Sequence, residues 1–255
     1  MNLTIVEQAR QRLLQILPTG DTQLLQASVS VLARPLTPEE AIGTPGRRDY
    51  PIIVGKERVI EAVILGSRGH AFTDTPREFI GTLQQVLELP LDSNHTRAIF
   101  IATLNATMRH MGRVTATVHC KDDDPEICAQ EMAQQLHQQF GAVRVGLVGL
   151  NPAIAEQLAQ TFGADQLHIT DLNRDNVGRD RFGVQVWDGQ TQTEQLIRES
   201  GLLLVTGTTL VNGSFDRIHE LARAGNTPLV VYGVTAAGVC ELMHIDRLCP
   251  RGRDQ

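Results

Sequence analysis

Leu202 to Asp216 reads LLLVTGTTLVNGSFD, and the interpretation of this stretch decides the fold. The apolar run Leu202 to Val205 stops abruptly at Thr206-Gly207. A four-residue apolar run bounded by turn residues predicts a strand buried on both faces, as in a parallel sheet. A row of hydroxyls, two glycines and Asn212 follow before Ser214. Ser214 is placed to cap a helix whose apolar residues Phe215, Ile218, Leu221 and Ala222 recur at helical spacing. The expected order is strand, polar loop, helix. In an open α/β sheet, ligands sit at the carboxyl ends of the strands. The backbone amides of a Gly/Thr/Asn loop suit an anion or a polar ligand. A tight turn with a decorated cap is the plainer alternative.

The same unit repeats on both sides. Val143 to Val148 ends at Gly149, and Asn151 then caps a helix with Pro152 at its first position, running to Phe162 and closed by Gly163. Leu167-His168-Ile169 is a strand ending in Asp171, and Leu229 to Tyr232 is followed by Gly233 and a helix. Val114 to Val118 is expected as a strand leading to a helix from Asp124-Pro125 to about Phe140, whereas 174–186 is poorly patterned. Repeated strand–helix units predict a parallel sheet with right-handed crossovers. Gly149, Asp171, Thr206-Gly207 and Tyr232-Gly233 then fall along one edge and form one crevice. Gly146 to Pro152 is G-x-x-G-x-x-P rather than a dinucleotide fingerprint. Asp171 has nearly the spacing of a ribose-binding carboxylate, but Gly146 falls inside the strand and the third glycine is missing. A Rossmann-like domain without nicotinamide dinucleotide is expected.

The first half has an α+β pattern. Ile5, Ala9, Leu13 and Leu14 give the opening helix an apolar face, ended by Pro18-Thr19-Gly20. Leu25 to Leu32 is expected as a strand, and Arg34 to Tyr50 as a loop. Arg58 to Leu65 is a second strand, with a turn at Gly66 to Gly69 and His70-Ala71-Phe72 returning as its hairpin partner. Asp74-Thr75-Pro76 is expected to start a helix through Leu87. Ser93 to Met111 is apolar around most of its circumference, which predicts a buried helix. Asn105, in its middle, needs hydrogen-bond partners from backbone or ligand. The expected domains are 1–112 and 113–255.

Composition narrows the class. Among 255 residues, 42% are hydrophobic and 20% charged, as in an ordinary globular protein. The net charge of -6 argues against nucleic acid as a partner. No apolar stretch approaches the length of a membrane span. The N-terminus is amphipathic, carries Glu7 and lacks the pattern of a secretory signal, so a cytoplasmic location is expected. Four cysteines in that setting read as thiols or metal ligands rather than disulfides. In His119 to Cys128, HCKDDDPEIC, Cys120 ends a strand and Cys128 lies one turn into a helix, so the loop can bring them together. Their spacing is not that of a C-x2-C zinc knuckle, and a solvated acidic loop with separate thiols is the alternative. Cys240 reads as plain core.

Several stretches resemble bacterial and archaeal proteins, mainly of anaerobes, described as a putative heavy-metal chelation family. They are SRGHAFTD (Ser67 to Asp74), RAIFIATLNA (Arg97 to Ala106), HCKDDDPEICA (His119 to Ala129), VGLVGLNPAIAE (Val145 to Glu156) and TGTTLVNGSFD. The resemblance implies an enolase N-terminal-like domain followed by a Rossmann-like domain, with a ligand site between them. Expected ligand-binding residues are Asn105, Gly149, Asn151, Asp171, Thr206, Gly207, Thr208, Thr209, Asn212 and Gly233. Expected metal ligands are Cys120, Cys128 and Cys249, with Asp122 or His119 as additional candidates; thiolates would favour Zn, Cu(I) or iron-type metals. The expected function is metal or small-molecule handling, chelation or chelator-related. The alternative is an enzyme acting on a nucleotide-like or pterin-like substrate in the crevice. No carboxylate set suited to Mg appears, so the enolase-like part does not carry enolase chemistry with it. The expected partner is a small-molecule or metal ligand, with no nucleic acid and no membrane span, and a homo-oligomer is compatible with the sequence.

Overall fold

A computed structural model describes residues 3–17, 22–31 and 36–254. The chain is a mixed α/β protein with a four-stranded antiparallel sheet and a seven-stranded, mostly parallel one. Helix α1 (Ile5–Ile16) opens with a capping box: the Thr4 hydroxyl accepts from Glu7 N, and the Glu7 carboxylate accepts from Thr4 N at 2.8 Å. The expected stop at Pro18-Thr19-Gly20 lies outside the described residues, as does Leu32.

Helix α2 (Thr22–Leu25) takes the start of the segment expected as a strand, and β1 is only Ser28–Val31. The segment expected as a loop contains α3 (Pro38–Ile42), whose capping box joins Thr37 and Glu40. After α4 (Pro51–Val54), β2 (Arg58–Ile64) and β3 (Ser67–Thr73) form the hairpin. Its turn is Leu65-Gly66, both at positive φ, rather than the expected Gly66 to Gly69. Gly69 is needed for another reason: a Cβ there would collide with the backbone of Ala102 and Ala106.

Asp74-Thr75-Pro76 starts no helix. A strand, β4 (Phe79–Thr82), pairs with β1 instead, and α5 (Leu83–Leu87) follows, capped by Thr82. The order is β3-β2-β1-β4. Helix α6 (Asn94–His110) packs on β2 and β3.

The second half contains α7 (Asp124–Phe140), β5 (Val145–Val148), α8 (Pro152–Phe162), β6 (Leu167–Asp171), β7 (Asp180–Arg181), β8 (Val184–Asp188), α9 (Thr193–Glu199), β9 (Leu202–Thr206), α10 (Thr208–Asn212), α11 (Phe215–Ala224), β10 (Leu229–Tyr232), α12 (Ala237–Met243) and β11 (Arg247–Leu248). The sheet order is β11-β10-β9-β5-β6-β8-β7, antiparallel only at β7. Val114 to Val118 forms no strand. The Thr117 carbonyl accepts from His70 N, its hydroxyl donates to Arg68 O, and Val118 makes a lone bridge to Arg253. These partners draw the segment beside β3. Strand β8 lies where the sequence looked unpatterned; only Val184 and Val186 are fully buried in it.

The parallel strands are buried on both faces, which explains their unbroken apolar runs. Leu147, Leu204 and Ile169 pack with α7 and α8, while Leu203, Val205 and Val231 pack with α6, α11 and α12. Each such fully buried leucine contributes roughly 1.5–3 kcal/mol. Because α6 belongs to both packing layers, the two sheets share one apolar core. Among the described residues, no helix is long and apolar enough to cross a membrane.

Candidate functional site

Strand register brings the carboxyl ends together. Val148 pairs with Thr170 and Val205, and Thr206 pairs with Tyr232. The residues just beyond line a cleft of about 1000 Å³. All the expected site residues except Asn105 and the additional candidate Asp122 line it, the three cysteines included. Its opposite wall comes from the first half, chiefly Tyr50 to Glu57 and Phe72 to Asp74.

Many polar groups at the sheet edge are already engaged. Asn105 is fully buried. Its amide nitrogen donates to the carbonyls of His70 (2.9 Å), Val234 (3.1 Å) and Thr235 (3.1 Å), and its oxygen accepts from Gly238 N at 2.7 Å. Its partners are backbone, and it pins α6 to β3 and to the turn before α12. The Asp171 carboxylate accepts from Leu150 N at 2.7 Å and Asn173 N at 2.6 Å. Burial pushes its pKa above the usual range, against the pull of those two amides. Asn151 caps α8 through Ala153 N and Ile154 N, as expected.

The expected polar loop is a helical turn, α10. Thr209 donates to Thr206 O at 2.6 Å, and the Thr206 and Thr208 hydroxyls lie 3.1 Å apart, so the hydroxyls tie the turn together. Asn212 Oδ1 accepts from both the N–H and the hydroxyl of Ser214, and the Ser214 side chain therefore caps nothing. Gly149 has φ 87°, and a Cβ there would sit 2.5 Å from the Thr206 methyl. The Tyr232 hydroxyl donates to Gly149 O at 3.0 Å.

Glu57 lines the same cleft and was not among the expected residues. Burial, reinforced by Asp171 and Asp74, pushes its carboxyl up to about 7. In sequence, Lys56-Glu57-Arg58 looks like a solvated charge run, and nothing local announces its neighbours.

The thiols lie at another part of the cleft. Cys128 is in hydrogen-bonding contact with both Cys120 and Cys249, and its pKa is pushed up to about 12, first by Cys120. Cys249 is raised as well, first by its contact with Cys128 and then by burial. His119 Nδ1 lies 3.8 Å from Cys120 Sγ and donates to Cys120 O at 2.6 Å. The buried Tyr50 hydroxyl faces the Glu126 carboxylate; burial, then that carboxylate, pushes its pKa up. This donor set has the chemistry of a soft-metal site. Its present geometry is open: among the described residues, no three His, Cys, Asp or Glu groups stand where they could hold a metal ion. Cys240 is buried in the apolar core, as expected.

Residues 132–244 match the model of the DUF364 family, described as putative heavy-metal chelation, the family its motifs resemble. No curated protein matches the sequence. A DUF364 protein of unknown function from Pyrococcus horikoshii superposes with a TM-score of 0.49 at 11% identity, over 91% of this chain and 80% of that one. Another, from Desulfitobacterium hafniense, gives 0.47 at 18% identity, over 73% and 72%. A mandelate racemase/muconate lactonizing enzyme-like protein from Rubrobacter xylanophilus gives 0.30 at 14% identity, over 88% and 86%.

Proposed function

We propose that the protein binds a small molecule or a metal in this cleft, and that its role is the handling of a metal or of a metal-chelating molecule. The observation that carries this reading is the lining of the cleft. Strand ends, first-half residues and three thiols converge on one concavity large enough for an organic ligand. The description of the matched family fits such a role. In this reading residues 1–112, enolase N-terminal-like, and residues 113–255, Rossmann-like, form two domains with the ligand between them. An enzyme acting on a nucleotide-like or pterin-like substrate has less support, because Asp171 already accepts two backbone amides where a ribose would need it.

Native mass spectrometry and elemental analysis of protein purified without oxygen or chelators test the proposal. A bound molecule should be retained by the wild type and lost in Thr208→Leu, which adds bulk to the cleft lining, whereas a bound metal should be lost in Cys128→Ser. Equal retention in a folded Thr208→Leu protein would place the ligand elsewhere.

A further inference from the structure

The three thiols at this end of the cleft stand in a row. Cys128 is in hydrogen-bonding contact with Cys120 on one side and Cys249 on the other. Among the described residues, no three His, Cys, Asp or Glu groups are placed to share a metal ion, so the sulfurs do not surround a common centre. All three are free thiols. A row suits a different reaction from chelation. In thiol–disulfide exchange the attacking, central and leaving sulfurs line up, and the central one changes partner.

The row is graded in access. Cys120 and Cys128 are buried, whereas Cys249 is half-buried and lines the cleft. Cys249 opens a tight turn, in which Gly252 N donates to Cys249 O at 3.2 Å. A Cβ at Gly252 would come within 2.9 Å of Cys249 Sγ and 2.5 Å of the Ala116 Cβ, so the glycine leaves the thiol its place. Contact with Cys128, and then burial, hold the Cys249 pKa well above the usual thiol range, while Arg247 and His119 pull it down. A small molecule in the cleft meets Cys249 as the most accessible of the three, and Cys128 is the buried thiol in contact with it.

We propose that Cys249 and Cys128 form a reversible redox site that reacts with a small-molecule disulfide entering the cleft. Cys249, as the thiolate, attacks one sulfur of the small disulfide; a mixed disulfide forms and the other half leaves as a thiolate. Cys128, as the thiolate, then attacks Cys249 Sγ, forming the Cys128–Cys249 bond and expelling the second half. The protein gives up two electrons and two protons, and the small disulfide takes them up as two thiols. The two protein sulfurs must close from contact to about 2.05 Å. Cys249 directly follows the two-residue β11, so the adjustment falls on a short segment. The new bond ties that segment to α7. This goes beyond the reading of the cleft as a ligand site and does not depend on it.

The test exposes the reduced full chain, kept free of oxygen and in the presence of a chelator, to oxidised glutathione. The intact mass should fall by two hydrogens, peptide mapping should place the bond between Cys128 and Cys249, and dithiothreitol should reverse it. Cys128→Ser should accumulate a glutathione adduct on Cys249. Cys249→Ser should react at least about tenfold more slowly than the wild type. Cys240→Ser should behave as the wild type, and circular dichroism checks that each variant is folded. Below a thiol's pKa the thiolate fraction rises about tenfold per pH unit, so the first step should speed up by about that factor for each unit above pH 7. A folded wild type that stays reduced, a bond between Cys120 and Cys128, or an adduct on Cys120 or Cys240 in the Cys128→Ser protein overturns the proposal. A protein that shows none of this chemistry yet carries a molecule into native mass spectrometry removes the redox site and leaves the cleft reading standing.

Discussion

Along the sheet edge, Asn105, Asn151, Asp171 and Thr209 give their polar atoms to the backbone. At the thiol end, three thiols crowd together and the buried Tyr50 hydroxyl faces the Glu126 carboxylate. In the first region side chains meet backbone, and in the second they meet one another. A run of small polar groups in sequence can be the means of building a sharp turn, and side chains that find one another across the fold can sit in stretches that look ordinary.

The largest effect should come from Asn105→Ala. It strips Gly238 N of its acceptor and three buried carbonyls of a donor, at about 3 kcal/mol or more in denaturant unfolding. A loss below about 1 kcal/mol would mean that Asn105 is not the brace described and would reopen a ligand role. Asp171→Asn leaves one of two amides, Leu150 N or Asn173 N, without a carboxylate oxygen; about 1–2 kcal/mol is expected. An unchanged unfolding midpoint would remove Asp171 from the bracing groups.

Glu57 gives a pH signature. Its carboxyl ionises near 4.5 when unfolded and near 7 when folded. Between those values the folded chain holds a proton that the unfolded chain has released, so this group's contribution to stability falls as pH rises through that window and is constant above it. Glu57→Gln should be neutral at pH 4 and stabilising at pH 8, by about 1 kcal/mol for a group only partly screened from water. Thermal unfolding of both proteins across that range measures it, and parallel curves would refute the assignment.

The smallest effects separate two adjacent threonines. Thr209→Val removes a buried donor to Thr206 O and should cost about 1 kcal/mol. Thr208→Val, half-buried in the cleft lining, should stay within about 0.5 kcal/mol. Equal costs would erase the distinction between the buried Thr209 hydroxyl and the half-buried Thr208 hydroxyl.

The parallel sheet was legible because burial on both faces forces continuous apolar runs, and the Asn151-Pro152 cap was legible because capping is local. Strand β4 was not: at a sheet edge, Ile80 is 71% exposed, and no alternation marks it as a strand. In β8 the alternation of Val184, Gln185 and Val186 is too short to stand out. Helix α10 was read as a loop because Thr, Gly and Asn resist helix in isolation, and the hydroxyl pairs that stabilise the turn exist only once the turn has formed.

The sequence by itself determined the mixed α/β class, the line of carboxyl ends, the burial of α6 and the candidacy of Cys120, Cys128 and Cys249. Each follows from periodicity, capping or residue chemistry within a short window. Only the tertiary structure decided what those residues touch. The partners of Asn105 lie 35 and about 130 positions away, Glu57 meets Asp171 across the cleft, and Cys249 reaches Cys128 from the far end of the chain. Whether a polar side chain is a brace or a free ligand group depends on the atoms that burial places around it, and these come from segments remote in sequence.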